Sequence, residues 1–159
     1  MAVWVVRAGD KGQYEELARD QGLVVIDWED LGSLSDYSTR DELKARCEEV
    51  YTDKNAHQIA NNAGQIWAFA NLIHKGDLVL LPFKGQAATA IGHITGDYQF
   101  QPNLYPACHT RPVKWLTRYL QYANLDADIC TSLGSKLTVF QIKRERAEER
   151  ILAACGANQ

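Results

Sequence analysis

Apolar positions along this chain fall in short runs parted by polar or glycine-bearing turns. The first run, residues 3–7, predicts a strand closed by Ala8, Gly9, Asp10 and Gly12. Helix formers from Tyr14 to Ala18 predict a helix that stops near Gly22. Residues 23–26 are apolar without a break, the pattern of a strand covered on both faces. That strand runs into Asp27 and Trp28, and a polar loop follows as far as Tyr37. Ser38 or Thr39 is placed to cap a helix whose first turn holds Asp41 and Glu42 and which reaches Tyr51. A further helix is predicted from Asn55 to His74, with Ile59, Ile66, Phe69, Leu72 and Ile73 close to the helical repeat.

After Lys75, Gly76 and Asp77 everything reads as sheet, with strands predicted over 78–83, 88–95, 98–101, 111–116 and 137–142. Pro112 cannot donate to a ladder, so its strand is expected at an edge or to begin there. From Lys143 to Ala154 the chain turns highly charged and helical. That divides it into a domain of residues 1–143 and a segment, 144–159, expected to act as a linker helix toward a further domain. Six or seven short strands, with helices bunched after the second, define an α+β chain. Its best packing solution is a small, partly closed β-barrel flanked by helices.

Composition narrows the function more than the fold. With 159 residues, 46% hydrophobic and 23% charged, the chain is long and apolar enough for one real core. A net charge of -3 argues against a protein that coats nucleic acid by bulk positive charge. The charge is nevertheless uneven: residues 1–50 carry 12 acidic and 6 basic side chains, residues 51–159 carry 8 acidic and 11 basic. The sheet-rich part is therefore the basic part, and it can meet a polyanion locally. No run of apolar residues is long enough for a membrane span. Cys47, Cys108, Cys130 and Cys155 are scattered without a paired spacing, which suits a reduced, cytoplasmic protein and gives no zinc-ligand pattern. No metal and no cofactor is expected.

Catalytic motifs are scarce. The chain has no GxSxG, P-loop, GxGxxG or HExxH, and no nucleophile, base and orienting group fall together, so no catalytic residue is assigned. Glu42-Leu43-Lys44 matches a fragment of metal-dependent nucleases but falls within a predicted helix. The aromatic residues say more. Trp28 follows a covered strand, stands beside Asp27 and opens onto Gly32 and Ser33. A large ring next to a carboxylate suits a planar ligand that bears an amino group, since the ring stacks and the carboxylate accepts an N–H. The other reading of the same residues has Trp28 packed under its own loop and Asp27 as a helix cap.

The segments Trp4 to Gly9, Val25-Ile26-Asp27-Trp28 with Leu31 to Ser35, Asn61 to Phe69, Gly76 to Val79, Ile91 to Gly96 and Arg111 to Leu116 occur in a telling order. That ordered set resembles the EVE-like modules of the PUA/YTH superfamily found at the N-termini of Mrr-type restriction endonucleases. The resemblance covers residues 2–143. It implies a PUA-like barrel that is not itself an enzyme. Such a module flips a modified, methylated base out of double-stranded DNA into an aromatic cage and targets an attached C-terminal nuclease to it.

By position, the resemblance places Trp28 as the cage ring with Asp27 and Ser33 beside it, and leaves Tyr98, Phe100 and Tyr105 as candidates for the second wall. Arg7 would lie against the nucleic-acid backbone, with Lys84, Arg111 and Lys114 as further backbone contacts. Asp27 departs from the family pattern, which commonly has glycine before the ring. A carboxylate there suits cytosine or adenine better than thymine. Three rivals remain open at this level: a modified-RNA reader, a small-barrel nuclease or hydrolase using Glu42, Lys44 or His109, and a protein-interaction or nucleotide-sensing domain.

Overall fold

In the computed structural model, which describes residues 1–157, strands and helices interleave around one curled sheet. Strand β1 (Val3–Val6) leads to helix α1 (Glu15–Gln21), which Gly22 ends in the left-handed conformation (φ 65°), its N–H returning to the Ala18 carbonyl. Strand β2 (Leu23–Ile26) follows at once and is buried along its whole length, as its unbroken apolar run predicts. Helix α2 (Arg40–Val50) begins where Thr39 accepts the Glu42 N–H, while the Glu42 carboxylate accepts the Ser38 N–H. Asn55 and Gln58 form a reciprocal capping box that starts α3 (Ala56–Trp67). The last turns of that helix widen into a π-helical stretch, Ala68–Leu72, rather than running on as a regular helix to His74.

The remaining strands are β3 (Leu78–Pro82), β4 (Ala88–Ile94), β5 (Gln99–Phe100), β6 (His109–Gln121) and β7 (Val139–Gln141). Their order is β2-β6-β4-β3-β1-β7, with β5 also on β6, and among the described residues only β1 and β3 pair in parallel. This is the expected α+β architecture, a small, partly closed barrel flanked by helices. Strand β6 is its central rail. It pairs with β2, β4 and β5, and extends two residues before and five residues after the predicted 111–116. Pro112 is tolerated inside it because β4 has run out one residue away, with Ile94 opposite Val113, and β2 only begins there, with Leu23 opposite Pro112.

Alternation along β1 and β3 divides the core. Trp4, Val6, Val79 and Leu81 face the barrel interior with Val24, Ile26, Phe69, Ala90 and Ile94. Val3, Val5, Leu78 and Leu80 face the other way and are covered by α4 (Ala127–Leu133) and α5 (Ala147–Ala157). Helix α4 lies in a region read from the sequence as sheet or turn. One face of the charged C-terminal helix is packed: Ile151 and Cys155 are 0% and 3% exposed against β1, β3 and α4. It belongs to this domain's core. Arg150 fastens it to α4 through Asp126 and Asp128, and that guanidinium pushes the Asp128 carboxyl down to about 2.

Candidate nucleic-acid interface

Antiparallel pairing sets which residues share an end of the sheet. Ile26 at the end of β2 pairs with His109 at the start of β6, so Asp27, Trp28 and His109 meet at one end. The C-terminal ends of β1 and β3, with Arg7 and Lys84, lie at the opposite end.

Trp28 has φ 53° and ψ 46°, squarely left-handed, which a bulky side chain adopts only under outside constraint. The constraint is visible on both sides of the residue. Its N–H donates to Asp27 Oδ1 at 3.1 Å, and its carbonyl meets His109 Nε2 at 3.1 Å. A carbonyl only accepts, so Nε2 carries the imidazole proton and Nδ1 is the acceptor. Tyr98 Oη, 2.7 Å from Nδ1, therefore donates to it, and itself accepts the Leu34 N–H at 3.1 Å. One chain of donors thus runs from the Leu34 amide through Tyr98 and His109 to the Trp28 carbonyl. Burial holds the His109 pKa below its ordinary 6.5, against smaller opposing effects of the Trp28 carbonyl and Asp27, so the ring is neutral at pH 7. Burial likewise lifts the Tyr98 phenol to about 12.

The ring of Trp28 is half-buried where two core clusters meet, and Tyr98 packs at the same junction. Tyr98 and Phe100 each lie 5.8 Å from the His109 ring, and Tyr98 meets Phe69 edge-on at 6.4 Å. The structure therefore gathers Trp28, Tyr98 and Phe100 around one imidazole. Tyr105 is not part of that group: it is 67% exposed, and among the described residues no ring or hydrogen-bond contact ties it to them. Asp27 accepts from Tyr14 Oη as well as from the Trp28 amide, so each oxygen holds one bond and keeps a second lone pair. Burial, then the Asp27 charge, raise the Tyr14 phenol to about 12. Ser33 Oγ caps the short 3-10 turn Leu34–Asp36 by accepting the Ser35 N–H, and its hydroxyl also meets the Tyr98 phenol.

The basic candidates separate. Arg111 is a correction: it is 2% exposed, donating from Nε to the Gly96 carbonyl and from Nη1 to the Phe69 carbonyl in the π-helical stretch. It satisfies a helix-end carbonyl inside the fold and cannot reach a phosphate there. Lys114 is exposed on β6. Arg7 is half-buried, its Nη2 donating to the Leu133 and Ser135 carbonyls at 2.6 and 2.7 Å. With Lys84, Lys136, Asp10 and Glu15 it lines a cleft of about 510 Å³ at the end of the sheet away from Trp28. No aromatic ring lines that cleft.

Glu42, one part of the nuclease alternative, caps α2, and His109, another, is fully buried with both nitrogens engaged. His109 is also the positioning residue that sequence reasoning missed. Read from the sequence only as a part of the nuclease alternative, it is made the support of Trp28 by its place opposite Ile26.

Fold and site together define a partly closed β-barrel domain with a strained, ring-bearing strand end. Residues 4–143 match the family described as a domain of unknown function (DUF8426), and the chain belongs to that family. A search of curated proteins finds no match. Among solved structures, the YTH domain of the Zygosaccharomyces rouxii MRB1 protein, in complex with N6-methyladenosine RNA, is similar at 10% identity. The alignment covers 97% of this chain and 86% of that one, with a TM-score of 0.48. A likeness of that size carries no argument about function.

Proposed function

We propose that this domain is a non-catalytic, cytoplasmic reader of a modified base in double-stranded DNA, and that it directs an attached nuclease to that base. The observation that carries the reading is Trp28: a large ring on a left-handed backbone, its carbonyl held by a buried imidazole and its neighbour a carboxylate with lone pairs to spare. Backbone strain of about 1–3 kcal/mol persists only where the surroundings over-determine it, and it concentrates at ligand clamps. Direction of a nuclease rests on the resemblance to the Mrr-type modules.

Magnitudes say how such a site would discriminate. Stacking a flipped base on an aromatic ring contributes about 1–3 kcal/mol whether or not the base is methylated. Burying one methyl adds about 0.8 kcal/mol, roughly fourfold in affinity. Flipping itself costs a few kcal/mol. Contacts to phosphate must offset that cost, and exposed Lys114 on β6, the strand that carries His109, is a candidate for them. Plain DNA is therefore expected to bind weakly and with strong salt dependence.

The test is a binding panel of duplexes carrying 5-methylcytosine, 5-hydroxymethylcytosine, 4-methylcytosine or 6-methyladenine, with modified RNA as a further arm. Trp28→Ala should remove the preference for one modified duplex over its plain counterpart while the circular dichroism spectrum is kept. Preference that survives this substitution would overturn the assignment of the ring. Tighter binding of modified RNA than of any duplex would replace DNA as the ligand. Cleavage of nucleic acid by the isolated chain with Mg²⁺ or Mn²⁺ would overturn the non-catalytic reading.

A further inference from the structure

The far end of β6 breaks the rule that neighbouring strand residues point to opposite faces. Thr89 pairs with Leu120 and Ile91 with Thr117, so Ala90 alone on β4 stands against both Arg118 and Tyr119. This two-against-one arrangement is a β-bulge, a device that re-aims side chains. Arg118 and Tyr119 are both exposed, although adjacent, while Leu120 returns to the core at 1%. The bulge is pinned from within: Thr117 Oγ1 donates to the Tyr119 carbonyl at 3.1 Å and accepts the Tyr119 N–H at 3.3 Å.

The Tyr119 ring, 49% exposed, stacks on Phe83 at 5.8 Å with the planes 13° apart. Phe83 is itself 4% exposed and carries the Arg19 guanidinium 4.5 Å from its centroid. A buried ring with a cation over it therefore supports an open one. Lys84, the residue after Phe83, is exposed in the adjoining turn, its amide donating to Glu15. Among the described residues neither Arg118 nor the Lys84 ammonium has an ion-pair partner.

We infer that Tyr119, with Arg118 next to it in the bulge, is a stacking platform for an unpaired nucleic-acid strand. The ring takes a base face, Arg118 takes a flanking phosphate, and Lys84, in the turn after Phe83, adds positive charge at the same end of the sheet. An aromatic face accepts any base, so this contact is tolerant of sequence and blind to modification. It lies about 30 Å from His109 at the usual rise along a strand, and so forms a site apart from Trp28. The inference rests on the nucleic-acid reading above, but its probe is an unmodified single strand, so the two can fail independently.

The experiment measures fluorescence anisotropy of short, labelled, unmodified single strands of DNA and of RNA at low and raised salt. Tyr119→Ala should weaken binding about tenfold or more, and Tyr119→Phe, which keeps the ring, should stay within about twofold of wild type. Arg118→Ala should lower the salt-dependence slope by about 0.7. The strand whose affinity falls with Tyr119→Ala is the platform's ligand. Equal binding by Tyr119→Ala and wild type would overturn the platform, as would equal loss in Tyr119→Phe and Tyr119→Ala. So would failure of the wild type to bind either strand. Thermal unfolding of each variant confirms that a folded chain is being read.

Discussion

The two ends of β6 hold aromatic rings in opposite ways. At its start, Trp28 is half-buried on a strained backbone, locked through its carbonyl by an imidazole with no exposure of its own. At its far end Tyr119 lies open, supported by a stack and turned outward by a bulge. A ring carried on a backbone that hydrogen bonds hold on both sides needs little backbone reordering when a ligand arrives, which suits discrimination. A ring resting on another ring at the surface makes no demand on which base it meets, which suits affinity. One strand can thus supply both properties because it spans the sheet from one end to the other, and its middle is what keeps the ends in register.

That middle is where the comparison is most easily broken. Arg111 lies on β6 between the two rings and satisfies the partly buried carbonyl of Gly96 and the buried one of Phe69. Arg111→Met leaves both carbonyls without a side-chain partner, a loss of about 2–4 kcal/mol in stability, read by urea denaturation. Arg111→Lys should recover little of it, because an ammonium cannot fork between two acceptors as a guanidinium does. A stable Arg111→Met chain that binds nucleic acid less well would instead return Arg111 to the interface.

The imidazole support gives the next largest effect. Because the His109 pKa is lowered in the folded chain, the unfolded chain takes up a proton first as the pH falls below about 6.5. The stabilisation is complete above that value and is lost on acidification toward the folded pKa, by up to about 1.4 kcal/mol per pH unit. His109→Gln should flatten the stability profile in this window relative to wild type. An unchanged profile would mean that His109 does not titrate differently on folding. The Tyr119 end of β6 has no such group and should hold its stacking affinity at constant stability across the same range.

Much of this contrast was hidden in the sequence, for identifiable reasons. Residues 23–26 announced β2 correctly because an unbroken apolar run between a glycine and a polar loop has few other solutions. Thr39 marked the start of α2 through capping chemistry that is wholly local, whereas the capping box of Asn55 and Gln58 that starts α3 emerged only in the structure. The packing of α5 was not legible because its charged residues mask the positions, such as Ile151 and Cys155, that it buries. Strand β6 was cut short because its bulge destroys the alternation that a strand reading depends on. Trp28 was legible as a ring at a strand end, but its support was not: His109 lies 81 positions away and reaches it only through the pairing of β2 with β6. Arg111 misled for the same reason, since a phosphate contact and a helix-end cap look alike until the π-helical stretch is placed.

A smaller effect tests whether Trp28 is truly strained. Glycine ordinarily costs stability relative to alanine because of the freedom it loses on folding. At a left-handed position the order inverts, so Trp28→Gly should be more stable than Trp28→Ala by about 1 kcal/mol. Both lose the ring, so the difference isolates the backbone. If Trp28→Ala proves the more stable in paired urea titrations, the loop is relaxed and the ring is not held under constraint.

The smallest effect separates aiming from support at the other end of β6. Thr117→Val keeps shape and strand preference but removes the hydroxyl that bonds both the N–H and the carbonyl of Tyr119. These bonds are exposed and water replaces them, so stability should move by no more than about 0.5 kcal/mol. The stack on Phe83 also remains. What changes is the direction in which the bulge presents the ring, and unmodified single strands should therefore bind roughly two- to threefold more weakly, short of the loss from removing the ring. Weaker binding at unchanged stability identifies the bulge as an aiming device. Reduced stability with unchanged binding would make Thr117 a structural pin and leave Phe83 alone to orient the platform.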